Sequence, residues 1–378
     1  MTGEFDLIDA IVATLGAATE GPGVVLGPGD DAALLRLDDG DQLVSSVDTL
    51  VEAVHFPTGA PPERIARRAL GVAVSDLAAM GARPLGVLIA AVLPAATDAR
   101  WVRAFARGLA EPARAWGAPV VGGNLARGPL SISVTVLGAL PEGAALTRGW
   151  ARPGDQIWVS GPLGGAAAAL ARGAVFERDR YAEPGCERYF EPQPRLELGV
   201  RLRGIATAAI DVSDGLAADL THLARASGVT LALDASSVPL YPGSTLEQAL
   251  HGGDDYELAF TAPPGIDVRI AAGPRMPLSP QQGAARSLDV SSDRSADRSV
   301  DGSANRSADM RADRGTETRT GQGSTQGAGV ATEPQAAAGD DRSPQLVCIG
   351  RALARGSEGA DLLLDGAPLA ARGFDHFG

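Results

Sequence analysis

Carboxylates stand beside Gly or Ser at five places in this chain of 378 residues. They are Gly29-Asp30-Asp31, Ser46-Val47-Asp48, Ser75-Asp76, Asp211-Val212-Ser213-Asp214-Gly215 and Gly252-Gly253-Asp254-Asp255-Tyr256-Glu257. Short side chains with hard oxygen donors suit Mg²⁺, which keeps several waters and shares its remaining positions with phosphates. A single Asp-Gly or Asp-Asp pair is more often a turn or an N-cap. Asp211 and Asp214 are harder to explain that way, because an i, i+3 pair at a strand-to-helix junction aims both groups at one point. Asp76 lies in a helical pattern among apolar neighbours, where a carboxylate is costly unless paired or coordinating a metal. The alternative is that Asp76 caps a second short helix.

The cationic side of the composition is as informative. All 33 basic residues are Arg, and the chain contains no Lys. That excludes a P-loop lysine and a Schiff-base lysine, so any phosphate must be met by Arg, backbone N–H groups or metal ions. Gly122-Gly123-Asn124 precedes a strand and could bring backbone N–H groups to phosphates, although the same tripeptide is a common turn. Arg127 and Arg148 are candidates for phosphate pairing, though singly each is more often a surface Arg. Ser160-Gly161-Pro162-Leu163-Gly164-Gly165 opens a helix, but Pro162 and the missing Lys make it a structural turn and no Walker loop. A net charge of −13 argues against nucleic acid or an anionic membrane as partner. Cys186 and Cys348 are far apart and outside any ligand spacing, which points to a reducing cytoplasm. The N-terminus has no basic and apolar leader, and no apolar run approaches a membrane span.

The elements that must position these residues alternate between strand and helix. Leu43–Val47 reads as a strand running into Asp48, and Pro62–Met80 as a helix with Pro near its first position and a stop at Gly81. Leu85–Leu93 is a buried strand, Trp101–Trp116 an amphipathic helix, and 130–136 a strictly alternating, half-buried strand. A loop-rich stretch near Pro141 to Arg152 suggests a boundary. It divides the chain into an N-terminal domain over 1–140 and a C-terminal domain over 141–378. Beyond it follow a strand at Gln156–Ser160, an Ala-rich helix from Ala166, a strand at Thr207–Val212 and a helix around Leu216–Ala226. Residues 284–344 differ from everything around them: eight Arg, ten Asp or Glu, no aromatic residue, and the repeats Ser295-Ala-Asp-Arg298 and Ser303-Ala-Asn-Arg306. A period of four without an apolar stripe cannot bury enough surface to order itself, so this stretch reads as a disordered insertion.

In their order, the motifs resemble the thiamine-monophosphate kinase family, of the superfamily that includes aminoimidazole ribonucleotide synthetase. The matching segments are Gly3-Glu4-Phe5, Gly29-Asp30-Asp31-Ala32-Ala33, Asp48-Thr49-Leu50-Val51-Glu52 with His55-Phe56, and Ser75 to Ala82. Arg127 to Ser131, Asp211 to Leu216, Gly253 to Leu258 and Gly373-Phe374-Asp375-His376-Phe377 continue the series. The resemblance implies a two-domain α/β (α+β) fold whose N-terminal sheet dimerises into a barrel. It implies an enzyme that phosphorylates thiamine monophosphate to thiamine diphosphate with ATP and several Mg²⁺ ions. By position it implies metal ligands at Asp30, Ser46, Val47, Asp48, Asp76, Asn124, Asp211 and Asp214, with Asp48 and Asp76 bridging ions between the two phosphates. It implies nucleotide contacts at Gly123, Asn124, Arg148 and Ser213, and substrate contacts at His55, Glu257 and Phe374. Asn124 replaces a usual Asp, Val47 a usual Thr that leaves only its backbone as a donor, and Asp254 a common Glu. Two other readings are a non-catalytic thiamine-phosphate or nucleotide binder, disabled through Asn124, and a different ATP-dependent phosphoryl transfer on the same fold.

Overall fold

A computed structural model describes residues 4–29, 32–266, 268–271, 345–356 and 359–372. Asp30, Phe374 and the expected insertion at 284–344 lie outside the described residues. Helix α1 (Glu4–Leu15) and the short strands β1 (Val24–Leu26) and β2 (Leu34–Leu35) lead into β3 (Asp41–Val51). Then α2 (Pro62–Ala79), β4 (Arg83–Leu93), α3 (Ala99–Ala115), β5 (Val120–Arg127) and β6 (Ser131–Pro141) follow. The longer strands make one sheet in the order β3-β6-β4-β5, antiparallel except between β4 and β5.

The amino-acid pattern accounts for these elements. Ile132, Val134 and Val136 of β6 are fully buried, while Ser131, Ser133 and Thr135 between them are not, the period of two that a half-buried strand requires. Pro62 at the first helical position has no N–H to lose, and α2 stops before Gly81, which takes φ +68°. Asp98 caps α3 by accepting the N–H groups of Arg100 and Trp101. Its stripe of Val102, Phe105, Leu109 and Ala113 is buried. Helix α2 packs across β3, β6 and β4 and α3 packs on α2, while the opposite sheet face leaves Val47 61% exposed.

Two local readings change. Strand β3 does not stop before Asp48 but continues to Val51, because its ladder with β6 runs unbroken from Asp41 to Val51. Gly122-Gly123-Asn124 is no turn either; it lies within β5, paired with Leu88, Ile89 and Ala90. A Cβ at position 123 would sit 2.0 Å from the Ile89 carbonyl oxygen, so strand packing alone demands Gly there.

The chain next supplies β7 (Gln156–Val159), α4 (Gly165–Ala171), α5 (Cys186–Phe190), α6 (Leu196–Leu202), β8 (Ala208–Asp211), α7 (Leu216–Ser227) and β9 (Val229–Leu233). It ends with α8 (Leu246–His251), β10 (Leu258–Ala262), α9 (Val268–Ala271), β11 (Val347–Ala354), β12 (Leu362–Leu364) and β13 (Ala367–Pro368). Seven strands form a second sheet in the order β13-β12-β9-β11-β7-β10-β8, so β8 is an edge. Ile157, Val159, Leu220, Leu231 and Ile349 belong to one core, on which α7 packs. A second core joins both halves of the chain, with Leu70 and Leu77 of α2 beside Phe190, Leu202 and Phe260. Helix α2 also packs on α5, α6 and β8, so it is the element through which the two sheets meet. Among the described residues no helix is long and apolar enough to cross a membrane.

Candidate active site

The seam along α2 holds a cavity of about 290 Å³. Asp48, Asp76, Asp211 and Asp214 form one part of its wall, with Ser213 beside them. His55, Arg68, Val72, Tyr189, Asp254 and Tyr256 form another. Both sheets contribute, and so does the loop between β8 and α7.

Each carboxylate has a local reason for its place. Along β3 successive side chains point to opposite faces, so Ser46 and Asp48 share the face towards α2 and Val47 points the other way. The Ser46 hydroxyl donates to Asp76 Oδ2 at 2.5 Å. Helix α2 is continuous through Asp76, which removes the capping alternative. Asp76 falls in the last turn of that helix, where the negative end of the macrodipole disfavours a carboxylate and the turn itself has no basic residue. Its neighbour Ser75 donates to Asp211 Oδ2 at 2.7 Å, tying α2 to the end of β8. Ser213 and Asp214 follow in the loop before α7, and their N–H groups donate to the Asp219 carboxylate at 3.0 and 3.1 Å.

Burial and mutual repulsion set the charge state of this wall. Burial, then the charges of Asp76 and Asp211, push Asp48 up to about 7. Burial and then Asp76 raise Asp211 to about 6. Asp76 is raised by burial, against the Ser46 hydrogen bond and the positive charge of Arg148. Arg148 itself is exposed. The Thr147 carbonyl accepts the N–H of Ala209 in β8, which brings this stretch alongside the strand that ends at Asp211. Ser227 Oγ then donates to the Arg148 carbonyl and accepts the Ala151 N–H, clipping the turn.

The other residues expected at the site are divided. His55 lines the cavity, and its Nδ1 accepts the Val51 N–H at 3.0 Å, which fixes the proton of a neutral ring on Nε2. Val47, Gly123 and Asn124 do not line it: Val47 lies on the exposed face of β3, and Gly123 and Asn124 are exposed on β5. Glu257 does not line it either. Its carboxylate is fully buried and engaged by Arg195 Nε (2.6 Å), Arg188 (2.8 Å) and the Ser160 hydroxyl (2.5 Å). Burial alone would raise Glu257, but Arg195, Arg188 and Ser160 together bring it down to about 2. Asp255 accepts the Gly164 N–H and so holds the Gly161–Gly165 turn, which has the structural role read for it in the sequence.

Two residues escaped the sequence reading: Arg68, which lines the cavity, and Asp219, whose carboxylate holds the Ser213–Asp214 loop. Arg68, Val72 and Asp76 are spaced i, i+4, i+8 on one stripe of α2, and that spacing is the signal that could have found Arg68. Among the described residues, no three His, Cys, Asp or Glu side chains converge closely enough to enclose a metal ion. The wall is open, with oxygen donors only and positions left for water and for ligand oxygens. That donor set fits Mg²⁺, which is commonly held by one or two carboxylates together with phosphates.

Known proteins share this architecture. Residues 29–140 match the family model of the AIR synthase related protein N-terminal domain, and 152–274 match that of its C-terminal domain. Thiamine-monophosphate kinase of Salmonella typhimurium is 42% identical over 252 residues, 64% of this chain and 77% of the relative. The crystal structure of thiamine-monophosphate kinase from Stenotrophomonas maltophilia K279a superposes with a TM-score of 0.69 at 34% identity, covering 97% of this chain and 98% of that one. The structure of AaThiL complexed with AMPPCP and TMP superposes with a TM-score of 0.63 at 26% identity, covering 99% and 97%. With its motifs in order, both domain models matched and this fold, the chain belongs to the thiamine-monophosphate kinase family of AIR synthase related proteins.

Proposed function

We propose that this protein is a thiamine-phosphate kinase that transfers the γ-phosphoryl group of ATP directly to the phosphate of thiamine monophosphate, giving thiamine diphosphate. The observation that carries this reading is the acidic wall formed by Asp48, Asp76, Asp211 and Asp214 where the two sheets meet. Relatives of the same family are thiamine-monophosphate kinases, and one superposing structure is complexed with AMPPCP and TMP.

The attacking oxygen belongs to a phosphate that is already deprotonated near neutral pH, so the chain needs no strong general base. The obstacle is repulsion between a phosphate dianion and a polyphosphate: two unit charges 4 Å apart repel by about 4 kcal/mol at an effective dielectric near 20. When bound, Mg²⁺ supplies the positive charge that offsets this and orients the phosphates for in-line displacement. Asp48, Asp76, Asp211 and Asp214 would hold several such ions among them, with Ser46 keeping Asp76 oriented and Ser75 keeping Asp211 oriented. Arg148 adds the positive charge that a Lys-free chain must take from Arg, and we assign it, with Ser213, to the nucleotide. His55 and the aromatic side of the cavity take the thiamine end. We assign Asp30 and Phe374 to metal and thiamine by resemblance alone.

We divide the roles between a nucleotide- and metal-binding part over 1–140 and a C-terminal part from 141, and we place the protein in the cytoplasm. We also propose a homodimer through the open face of the four-stranded sheet. Support comes from the exposure of Val47, and from Asn124, which lies on the same sheet outside the cavity. The deciding experiment is a purified-protein assay with ATP, Mg²⁺ and thiamine monophosphate, following thiamine diphosphate by chromatography. Product that requires all three components is expected. Binding of both substrates without product would overturn the kinase reading in favour of a non-catalytic binder.

A further inference from the structure

Arg68 is a charged residue in the interior of α2, with 4% of its surface exposed. Its three guanidinium nitrogens reach three different segments. Nε donates to the His55 carbonyl at 2.9 Å, one terminal nitrogen to the Tyr189 carbonyl at 2.7 Å, and the other to Asp254 Oδ1 at 2.8 Å. The guanidinium also lies over the Tyr189 ring, 4.1 Å from its centroid. Tyr189 donates its hydroxyl to the same His55 carbonyl at 2.8 Å, and Tyr256 donates its own to the same Asp254 oxygen at 3.1 Å.

The segment that Asp254 belongs to is under backbone strain. Gly253, Asp254 and Tyr256 have φ of +66°, +61° and +50°. Asp tolerates this region better than most residues, whereas a bulky Tyr is a real outlier there. Such a conformation persists only if its surroundings fix it. Here the fixing contacts are backbone bonds to the loop of the acidic wall: Asp254 N–H to Ser213 O and Tyr256 N–H to Val212 O, both 2.8 Å. A Cβ at position 253 would come within 2.5 Å of Ser213 O, so the two segments touch backbone to backbone. One end of the network therefore holds the His55 turn, and the other presses on the Asp211–Asp214 loop.

We propose that Arg68 is a positioning residue that couples the two ends of the cavity, holding the His55 end and the Asp211–Asp214 loop in register through Asp254 and the strained 253–256 segment. The coupling takes its meaning from the kinase reading above, under which these ends receive thiamine monophosphate and Mg²⁺. An arginine that only supported the core would lower stability without moving two ends of the cavity together. Removing Arg68 releases both ends at once, and removing Asp254 releases mainly the loop.

The test uses the full chain with Arg68→Met, Asp254→Asn and the double variant. Each is measured for KM of thiamine monophosphate, for the Mg²⁺ concentration giving half activity, and for amide hydrogen exchange without ligands. Arg68→Met is expected to raise both constants together, each by about tenfold, and to speed exchange at Ala53 and His55 as well as at Asp254 and Tyr256. Asp254→Asn should move the Mg²⁺ constant and the exchange at 254 and 256 while sparing KM. The double variant should be no worse than Arg68→Met, because both act on one path. Additive effects, or an Arg68→Met protein with only one end altered, would overturn the coupling. If Arg68→Met does not fold, Asp254→Asn and Tyr189→Phe carry the test; unchanged exchange at 254–256 in the first and at 53–55 in the second also overturns it. Because exchange is read without substrate, a wild-type protein with no turnover but with these exchange effects refutes the kinase reading and leaves the coupling intact.

Discussion

Two groups of carboxylates that the fold draws away from water behave in opposite ways. Glu257 is wholly buried, yet Arg188, Arg195 and Ser160 surround it, and its carboxyl is drawn down to about 2. Asp48 and Asp211 face one another and Asp76, and they are pushed up to about 7 and about 6. The difference is one of supply. Where the fold needs a carboxylate for its own cohesion, it provides the counter-charge from its own arginines. At the acidic wall it provides hydroxyls from Ser46 and Ser75 and the distant charge of Arg148, and it leaves the rest to a ligand. A carboxylate left short of cations by a chain with 33 arginines marks a place kept for something that is not protein.

Breaking this contrast should give the largest effect on the Glu257 side. Glu257→Ala removes the buried carboxylate that Arg188 and Arg195 share, and loss of one partner of a buried pair costs on the order of 3–5 kcal/mol. Denaturant unfolding should show that loss, or the variant should fail to accumulate. A variant within 1 kcal/mol of wild type, well below about 3 kcal/mol, would mean that the arginines re-pair elsewhere. Next comes Asp48→Asn, which should reduce turnover by about a hundredfold or more, as loss of a charge-positioning group commonly does. Without added metal the same change should raise the melting temperature, because it removes repulsion from Asp76 and Asp211. Activity near wild type would remove Asp48 from the site.

A titration sharpens the comparison further. Folding favours ionised Glu257, so its contribution is present above the ordinary carboxylate value of 4.5 and disappears as pH falls towards 2. Folding disfavours ionised Asp48 and Asp211, so their contribution is full below the ordinary 3.8 and is lost as pH rises through about 6 and 7. Metal-free protein should accordingly lose stability at both ends of this range. Added Mg²⁺ should raise the melting temperature more at pH 8 than at pH 5, and equal shifts at both would contradict the assignment. The smallest effect is expected at Asn124. Since that side chain lies on β5 outside the cavity, Asn124→Asp should lower the half-activating Mg²⁺ concentration by only about twofold, a few tenths of a kcal/mol. A tenfold change, about 1.4 kcal/mol, would bring the open sheet face into the site.

Much of this was readable from the residues, in proportion to how local the cause is. The helix over 62–79 was visible because Pro, apolar spacing and a Gly stop all act within the segment itself. The Asp211–Asp214 pair was visible because its geometry follows from a strand meeting a helix. Gly122-Gly123-Asn124 was harder, since what keeps it extended is β4, more than thirty residues away in sequence. The partners of Glu257 were out of reach for the same reason: Arg188 and Arg195 are set apart from it by some sixty residues, and only the packing of α5 and α6 brings them together. Arg68 stood on the stripe of Val72 and Asp76 in plain view, but the identity of its three acceptors belongs to the tertiary fold.

The alternation along β3 has a further consequence. Ser46 and Asp48 serve the cavity, while Val47 between them serves the open face of the sheet. Substitutions on one face can therefore accumulate without disturbing the other. Length changes have no such freedom. Inserting or deleting one residue before Ser46 would exchange the two faces over the rest of the strand, turning Asp48 outward and Val47 inward. The strand can vary in composition, but its spacing must be inherited whole.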